Sequence, residues 1–278
     1  MRTVPFYRHG TDGIGESSEC AQRCDLVKRI GALAFTAALV ATTLTGCSSN
    51  TPAAAPKIII FAAASLTKSF TEIGKRFTAD NPGSEIEFSF AGSSDLVTQL
   101  TQGAPADVFA SADIKNMTRA AAAGLLAGDP VNFASNTLTI AVAPGNPMRI
   151  SSLKDLARED VSVVVCAPAV PCGSATQKVE QAAGVRLNPV SEETSVTDVL
   201  NKVVTGQSDA GLVYVTDVRG AGDKVTGVGL PEAAGAVNTY PIAVLHQSAH
   251  ADLARKFVDL VIGESGRRIL DAAGFATP

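Results

Sequence analysis

From Lys57 onward the chain alternates short apolar runs with helical patterns, and this alternation limits its fold more than any other feature. Residues 57–62 (KIIIFA) form an apolar run of strand length, as expected of a strand buried on both faces. Leu66, Phe70, Ile73 and Phe77 follow at helical spacing, and Asn81-Pro82-Gly83 ends that helix. Residues 85–90 (EIEFSF) alternate as a strand, and residues 94–102 carry Leu96, Val97 and Leu100 on one helical face. A short strand at 107–110 and a helix beginning with Ile114, Met117 and Ala121 complete a βαβαβα order. Such an order predicts a parallel sheet with crossover helices.

The alternation continues with different residues. Strands are expected at 138–142, 161–165 (VSVVV), 210–215 (AGLVYV) and 240–245. Helices are expected at 174–183, at 196–205 with Val196, Val199, Leu200 and Val203 on the apolar side, and at 249–262 and 265–273. No repeat of fixed period appears. Two α/β lobes of about 100 residues each are the economical reading.

The first 46 residues belong to neither lobe. Residues 30–46 (IGALAFTAALVATTLTG) are uncharged and follow Arg23, Lys28 and Arg29. A membrane span needs about 20 apolar residues. This run is shorter and ends in small residues, the pattern of a secretory signal peptide. Leu44-Thr45-Gly46-Cys47 resembles a bacterial lipobox, which implies acylation of Cys47 and anchoring of the chain to the outer face of the cell membrane. Residues 47–56 then read as a flexible tether, and residues 1–25 as an upstream segment without pattern, with Val27 a possible start. The mature chain has 232 residues and a net charge of −5. It has no basic stripe of the kind a nucleic-acid binder carries.

Two cysteines besides Cys47 remain in the mature chain, Cys166 and Cys172, six positions apart around Pro168 and Pro171. An oxidising compartment permits a disulfide, but spacing alone leaves open whether they pair. With only His246 and His250 beside them, they make no metal-ligand set. Enzymatic chemistry is not expected either: Ser65 and Cys172 have no neighbouring base in the sequence, and there is no Gly-x-Ser-x-Gly elbow.

Ligand chemistry is expected where strands end and helices begin. Ser65 follows the first strand at a helix N-cap position, and Ala91-Gly92-Ser93-Ser94 follows the second. Pro171-Cys172-Gly173-Ser174 opens a helix of the second lobe, Val196 opens another, and Tyr214 ends a strand. Each has a plain structural reading as a cap or core residue. Together they would aim helix N-termini and hydroxyls into one crevice, which is how a small anion is held without a cation. Asp95 and Asp198 read as first-turn dipole partners facing solvent. Ser111-Ala112-Asp113 reads as the cap of its helix.

FAAASLT (61–67), FAGSSDL (90–96) and APADVFASAD (104–113) resemble the bacterial molybdate-binding protein (ModA) family, and VPCGSA (170–175) and GLVY (211–214) are similar to its second-lobe motifs. The resemblance runs from Lys57 to the C-terminus. It implies an α/β periplasmic-binding-protein-like (type II) fold. Lobe I would comprise 57–135 plus 240–278 and lobe II 136–239, each built on a parallel sheet, with a hinge and a ligand cleft between them. It also implies a monomer that captures molybdate, and tungstate, for an ABC importer permease, with no cofactor. Sulfate or another small anion on the same scaffold is the alternative. Carried onto this chain, the oxyanion donors are the hydroxyls of Ser65, Ser93 and Tyr214 and the backbone N–H groups of Cys172 and Val196. Cys172 stands where the family has Ala, and Gly92 where it has Ser, which leaves Ser93 and Ser94 open as the second hydroxyl.

Overall fold

The structure, a computed structural model, describes residues 55–278. The expected signal peptide, Cys47 and most of the tether lie outside them. Among the described residues no helix is long and apolar enough to cross a membrane.

The chain begins with β1 (Lys57–Ala63), α1 (Thr67–Asp80), β2 (Glu85–Ala91), α2 (Ser93–Thr101), β3 (Val108–Ala110), α3 (Ile114–Ala122) and β4 (Val131–Asn136). It continues through β5 (Leu138–Val142), β6 (Val163–Cys166), α4 (Pro171–Ala183), β7 (Ser191–Glu193), α5 (Val196–Val204), β8 (Ala210–Tyr214), α6 (Val215–Ala221) and β9 (Thr226–Val228). It closes with β10 (Asn238–Val244), α7 (Ala251–Ile262) and α8 (Glu264–Ala273). The strands form two five-stranded sheets, ordered β2-β1-β3-β10-β4 and β7-β6-β8-β5-β9.

β1 shows why the first sheet forms. Its alternate residues Ile58, Ile60 and Ala62 pack with Leu66, Phe70, Ile73 and Phe77 of the following helical segment and with Phe257 of α7. Phe61 points the other way, into a cluster with Leu96, Val97, Leu100, Phe109 and Met117. Both faces are therefore covered, as a mostly apolar strand requires. Each fully buried aliphatic or aromatic side chain contributes about 1.5–3 kcal/mol. α1 stops where Asn81 donates its side-chain amide to Phe77 O at 2.9 Å and Gly83 turns the chain at φ +82°.

Both sheets are mixed, which corrects the expectation of parallel ones. β1 runs parallel to β2 and β3, but β10 is antiparallel to β3 and β4. In the second sheet β6 is parallel to β7 and β8, while β5 is antiparallel to β8 and β9. The cause is the double crossing of the chain between sheets. It leaves the first sheet at Asn136 and returns at Asn238, residues that face each other in the β4–β10 pairing. An outgoing and a returning strand that meet at the same end must run antiparallel. The helix expected from Ser174 begins at Pro171, whose missing N–H costs nothing at the first helical position. The strand expected at 161–165 lies at Val163–Cys166. β4, β7, β9 and α6 were not legible in the hydropathy pattern, being short or polar.

Candidate functional site

β1 leads into a 3-10 turn, Ala64–Leu66, and then α1. Ser65 is not the N-cap expected of it. Ala63 and Leu66 hold the cap positions and neither makes a side-chain cap bond. The tight turn takes over that role, with the Thr67 hydroxyl donating to Ala64 O at 2.7 Å. The Ser65 hydroxyl is left to pair with Tyr240 Oη, 2.9 Å away. α2 likewise has Gly92 at its cap, and Ser93 is its first residue, with Oγ accepting from Ala112 N–H at 2.9 Å. Asp113 caps α3, accepting from Asn116 N–H at 2.8 Å.

In the second sheet, Cys172 is the second residue of α4 and Val196 the first of α5. N–H groups at these positions have no acceptor within their helix. Ser195 caps α5, accepting from Asp198 N–H at 3.2 Å and donating to Asp198 Oδ2 at 2.7 Å. Asp198 is thus occupied with the cap on an exposed face. Tyr214 ends β8 fully buried, and its hydroxyl lies beside Tyr240 without a hydrogen bond of good geometry. Burial holds its phenol well above the usual range, so the group stays protonated and can donate.

One pocket, about 200 Å³ including its open mouth, gathers Ser65, Ser93, Cys172, Val196 and Tyr214. Ala63, Ala64, Ala91, Gly92, Ala112, Val170 and Pro171 complete the lining. Ser94 is buried but does not line it. No acidic or basic side chain is in the lining. The wall presents hydroxyl and N–H donors at the starts of α2, α4 and α5, an arrangement suited to an anion whose oxygens are all acceptors.

Residues of both sheets meet here. A Cβ on Gly92 would stand 2.1 Å from the carbonyl oxygen of Thr194, so only glycine allows this approach. Asn238 donates to Ala112 O at 2.8 Å and reaches Pro171 O at 3.5 Å. Behind the pocket, Tyr214 N–H donates to Asp217 Oδ2 at 2.9 Å, and burial pushes that carboxyl up to about 7 against the pull of the hydrogen bond and of Lys68. Cys166 and Cys172 are joined as a disulfide, Cα–Cα 5.7 Å. No group of three or more His, Cys, Asp or Glu among the described residues could hold a metal ion.

Sequence reasoning missed Tyr240, Ala112 and Asn238. The available signal for Tyr240 was a tyrosine in an otherwise apolar strand, whose hydroxyl had to find a partner.

Comparison with known proteins gives the family of the chain. The family model for bacterial extracellular solute-binding proteins matches residues 58–276. The molybdate-binding protein ModA of Mycobacterium tuberculosis (strain H37Rv) is 58% identical over 249 residues, covering 87% of this chain and 95% of that protein. The molybdate-binding protein ModA of Escherichia coli K12 is 30% identical over 79% of this chain and 88% of its own length. Among solved structures, the periplasmic molybdate-binding protein of Azotobacter vinelandii superposes with a TM-score of 0.71 at 22% identity, covering 80% of this chain and 99% of that one.

Proposed function

The chain belongs to the bacterial extracellular solute-binding proteins and, within them, to the ModA family, and from that premise we propose how it holds its ligand. It captures molybdate outside the cytoplasm and delivers it to an ABC importer. The observation that carries this reading is the convergence of five donor positions, from Ser65, Ser93, Cys172, Val196 and Tyr214, on a pocket without a carboxylate.

The chemistry fits. Molybdate at neutral pH is a doubly charged, fully deprotonated tetrahedron, so it needs donors and no acceptor. Hydrogen bonds to such an ion are charge-assisted and stronger than neutral ones. Phosphate retains a proton near neutral pH and would leave it facing donors. Sulfate is also deprotonated, so discrimination against it rests on pocket size. Tungstate, nearly the size of molybdate, binds as well. The mature chain carries a net charge of −5, so bulk electrostatics oppose capture and the attraction is local, from helix starts and hydroxyls.

The remaining parts follow the same reading. Residues 57–135 with 240–278 form one lobe and 136–239 the other, closing on the ligand as a hinge. The protein acts as a monomer, without a cofactor or catalytic activity, tethered to the membrane by acylated Cys47. Calorimetry of the purified protein with molybdate, tungstate, sulfate and phosphate tests the assignment. Tight binding of the first two alone is expected, and absence of heat with molybdate would overturn it.

A further inference from the structure

Between β6 and α4 the chain has residues 167–170 in which to reverse direction, and Pro168 and the first helical residue, Pro171, supply no N–H to hold the turn. Ala167 N–H donates to Glu193 O and Val170 N–H to Ala167 O, each at 2.9 Å. The covalent tie across this turn is the disulfide, which joins the last residue of β6 to the second residue of α4. The helix start is also pressed onto the strand end. A Cβ on Gly173 would lie 2.0 Å from Ala167 O and 2.6 Å from Cys166 O. Cys172 lines the pocket, whereas Cys166 does not.

We propose that Cys166 is a positioning residue: through the disulfide it fixes the backbone N–H of Cys172 at the oxyanion pocket, and reduction of the disulfide weakens ligand binding. The inference rests on the molybdate reading above. A donor array works only if its members are held to about 0.5 Å, and a short, proline-bearing turn holds the first turn of α4 less well than a cross-link does. Reduction by a dithiol breaks the Sγ–Sγ bond. One reductant sulfur attacks one cysteine Sγ, the other resolves the mixed disulfide, and two electrons and two protons end on the thiols of Cys166 and Cys172 as the reductant leaves as a cyclic disulfide. Linkage then works in both directions: if the disulfide favours the ligand, the ligand favours the disulfide by the same factor.

Two measurements test this. The Cys166→Ala/Cys172→Ala variant keeps the backbone N–H at 172 but loses the tie. It should bind molybdate about tenfold more weakly, the scale of a lost supporting contact around a bound ion, mainly through faster dissociation. In the native protein, equilibrium titration of the disulfide against dithiothreitol, followed by thiol alkylation, should give a midpoint more negative by about 30 mV when molybdate saturates the site, the equivalent of that tenfold. Coincident midpoints with and without molybdate overturn the inference, as does native affinity in the double variant. If the variant fails to fold, the native titration decides. No binding by the oxidised native protein would instead remove the molybdate reading, and this inference with it.

Discussion

The hydroxyls of Ser65 and Tyr240, 175 positions apart in sequence, lie 2.9 Å from each other beside the pocket. Tyr240 is fully buried, and its ring meets Tyr214 edge-on with centroids 6.1 Å apart. Burial pushes its phenol above the usual range, so it carries its proton throughout the physiological window. When an oxyanion accepts from Ser65, the serine proton is committed to the ligand, and Tyr240 must be the donor in the pair. A buried tyrosine thus sets the direction in which Ser65 donates.

Ser65→Ala should therefore weaken molybdate binding by about 1.5–3 kcal/mol, the scale of a hydrogen bond to a charged group. Tyr240→Phe should weaken it by about 0.5–1.5 kcal/mol, because it removes the neutral bond behind Ser65 and none to the ligand. Calorimetry on a double-mutant cycle should show coupling, with the Tyr240 effect vanishing once Ser65 is alanine. Fully additive losses would separate the two residues.

Ser93→Ala differs in a way that a thermal melt can read. Its hydroxyl accepts from the buried Ala112 N–H at 2.9 Å, so its removal strands a backbone donor as well as costing a ligand contact. Affinity should fall as for Ser65, and the ligand-free protein should also lose about 1–3 kcal/mol of stability. Ser94→Ala, outside the pocket lining, should leave affinity unchanged.

Tyr214 predicts effects of opposite sign. Its buried hydroxyl lies beside Tyr240 without a hydrogen bond of good geometry, a deficit that an oxyanion would relieve. Tyr214→Phe should stabilise the ligand-free protein by about 1 kcal/mol or leave it unchanged, while weakening molybdate binding by about 1.5–3 kcal/mol. A parallel loss of stability in the ligand-free state would show that the hydroxyl is satisfied without ligand.

How much of this was legible in sequence depends on range. The alternation of apolar runs revealed β1, β2 and their helices because Ile58, Ile60, Phe70 and Phe77 repeat at fixed local spacing and are all buried. The five residues that line the pocket and are proposed as donors stand in motifs where strands end and helices begin. The pairing of Ser65 with Tyr240, and of Ser93 with Ala112, was not, because nothing local marks which hydroxyl caps a helix and which reaches across the sheet. The antiparallel halves of both sheets escaped for a related reason. β4 (VNFASN) and β9 (TGV) are held by backbone pairing with β10 and β5, and carry little apolar pattern of their own. The cysteine spacing was compatible with a bridge, but the reversal between β6 and α4 is what brings the sulfurs together.

Gly92 predicts a defect confined to closure. Its φ of −61° and ψ of 138° suit any residue, so the glycine is required for space and not for backbone freedom. That space is the gap to Thr194 O, which a Cβ would approach to 2.1 Å. Gly92→Ala should cost the closed, ligand-bound form about 1–3 kcal/mol through overpacking and leave an opened ligand-free form nearly untouched. Stopped-flow dissociation of molybdate should accelerate while the ligand-free melting temperature holds. An unchanged dissociation rate would place the lobes farther apart in the bound state.

Asp217 predicts how stability and binding respond to pH. Its carboxyl, pushed by burial from 3.8 to about 7, keeps in the folded state a proton that the unfolded chain releases. The sign follows: this group's contribution to stability is complete below about pH 4 and is lost as pH rises through 7. Asp217→Asn can still accept from Tyr214 N–H and has no proton to lose. Relative to that variant, the native protein should lose stability between pH 5 and 8 in chemical denaturation, and parallel pH profiles would refute the assignment. Binding should report the same group. A dianion seated against Tyr214 raises the carboxyl further, so molybdate binding near pH 7 should take up protons in the native protein. Calorimetry in buffers of different ionisation enthalpy measures that uptake directly, and Asp217→Asn should abolish it.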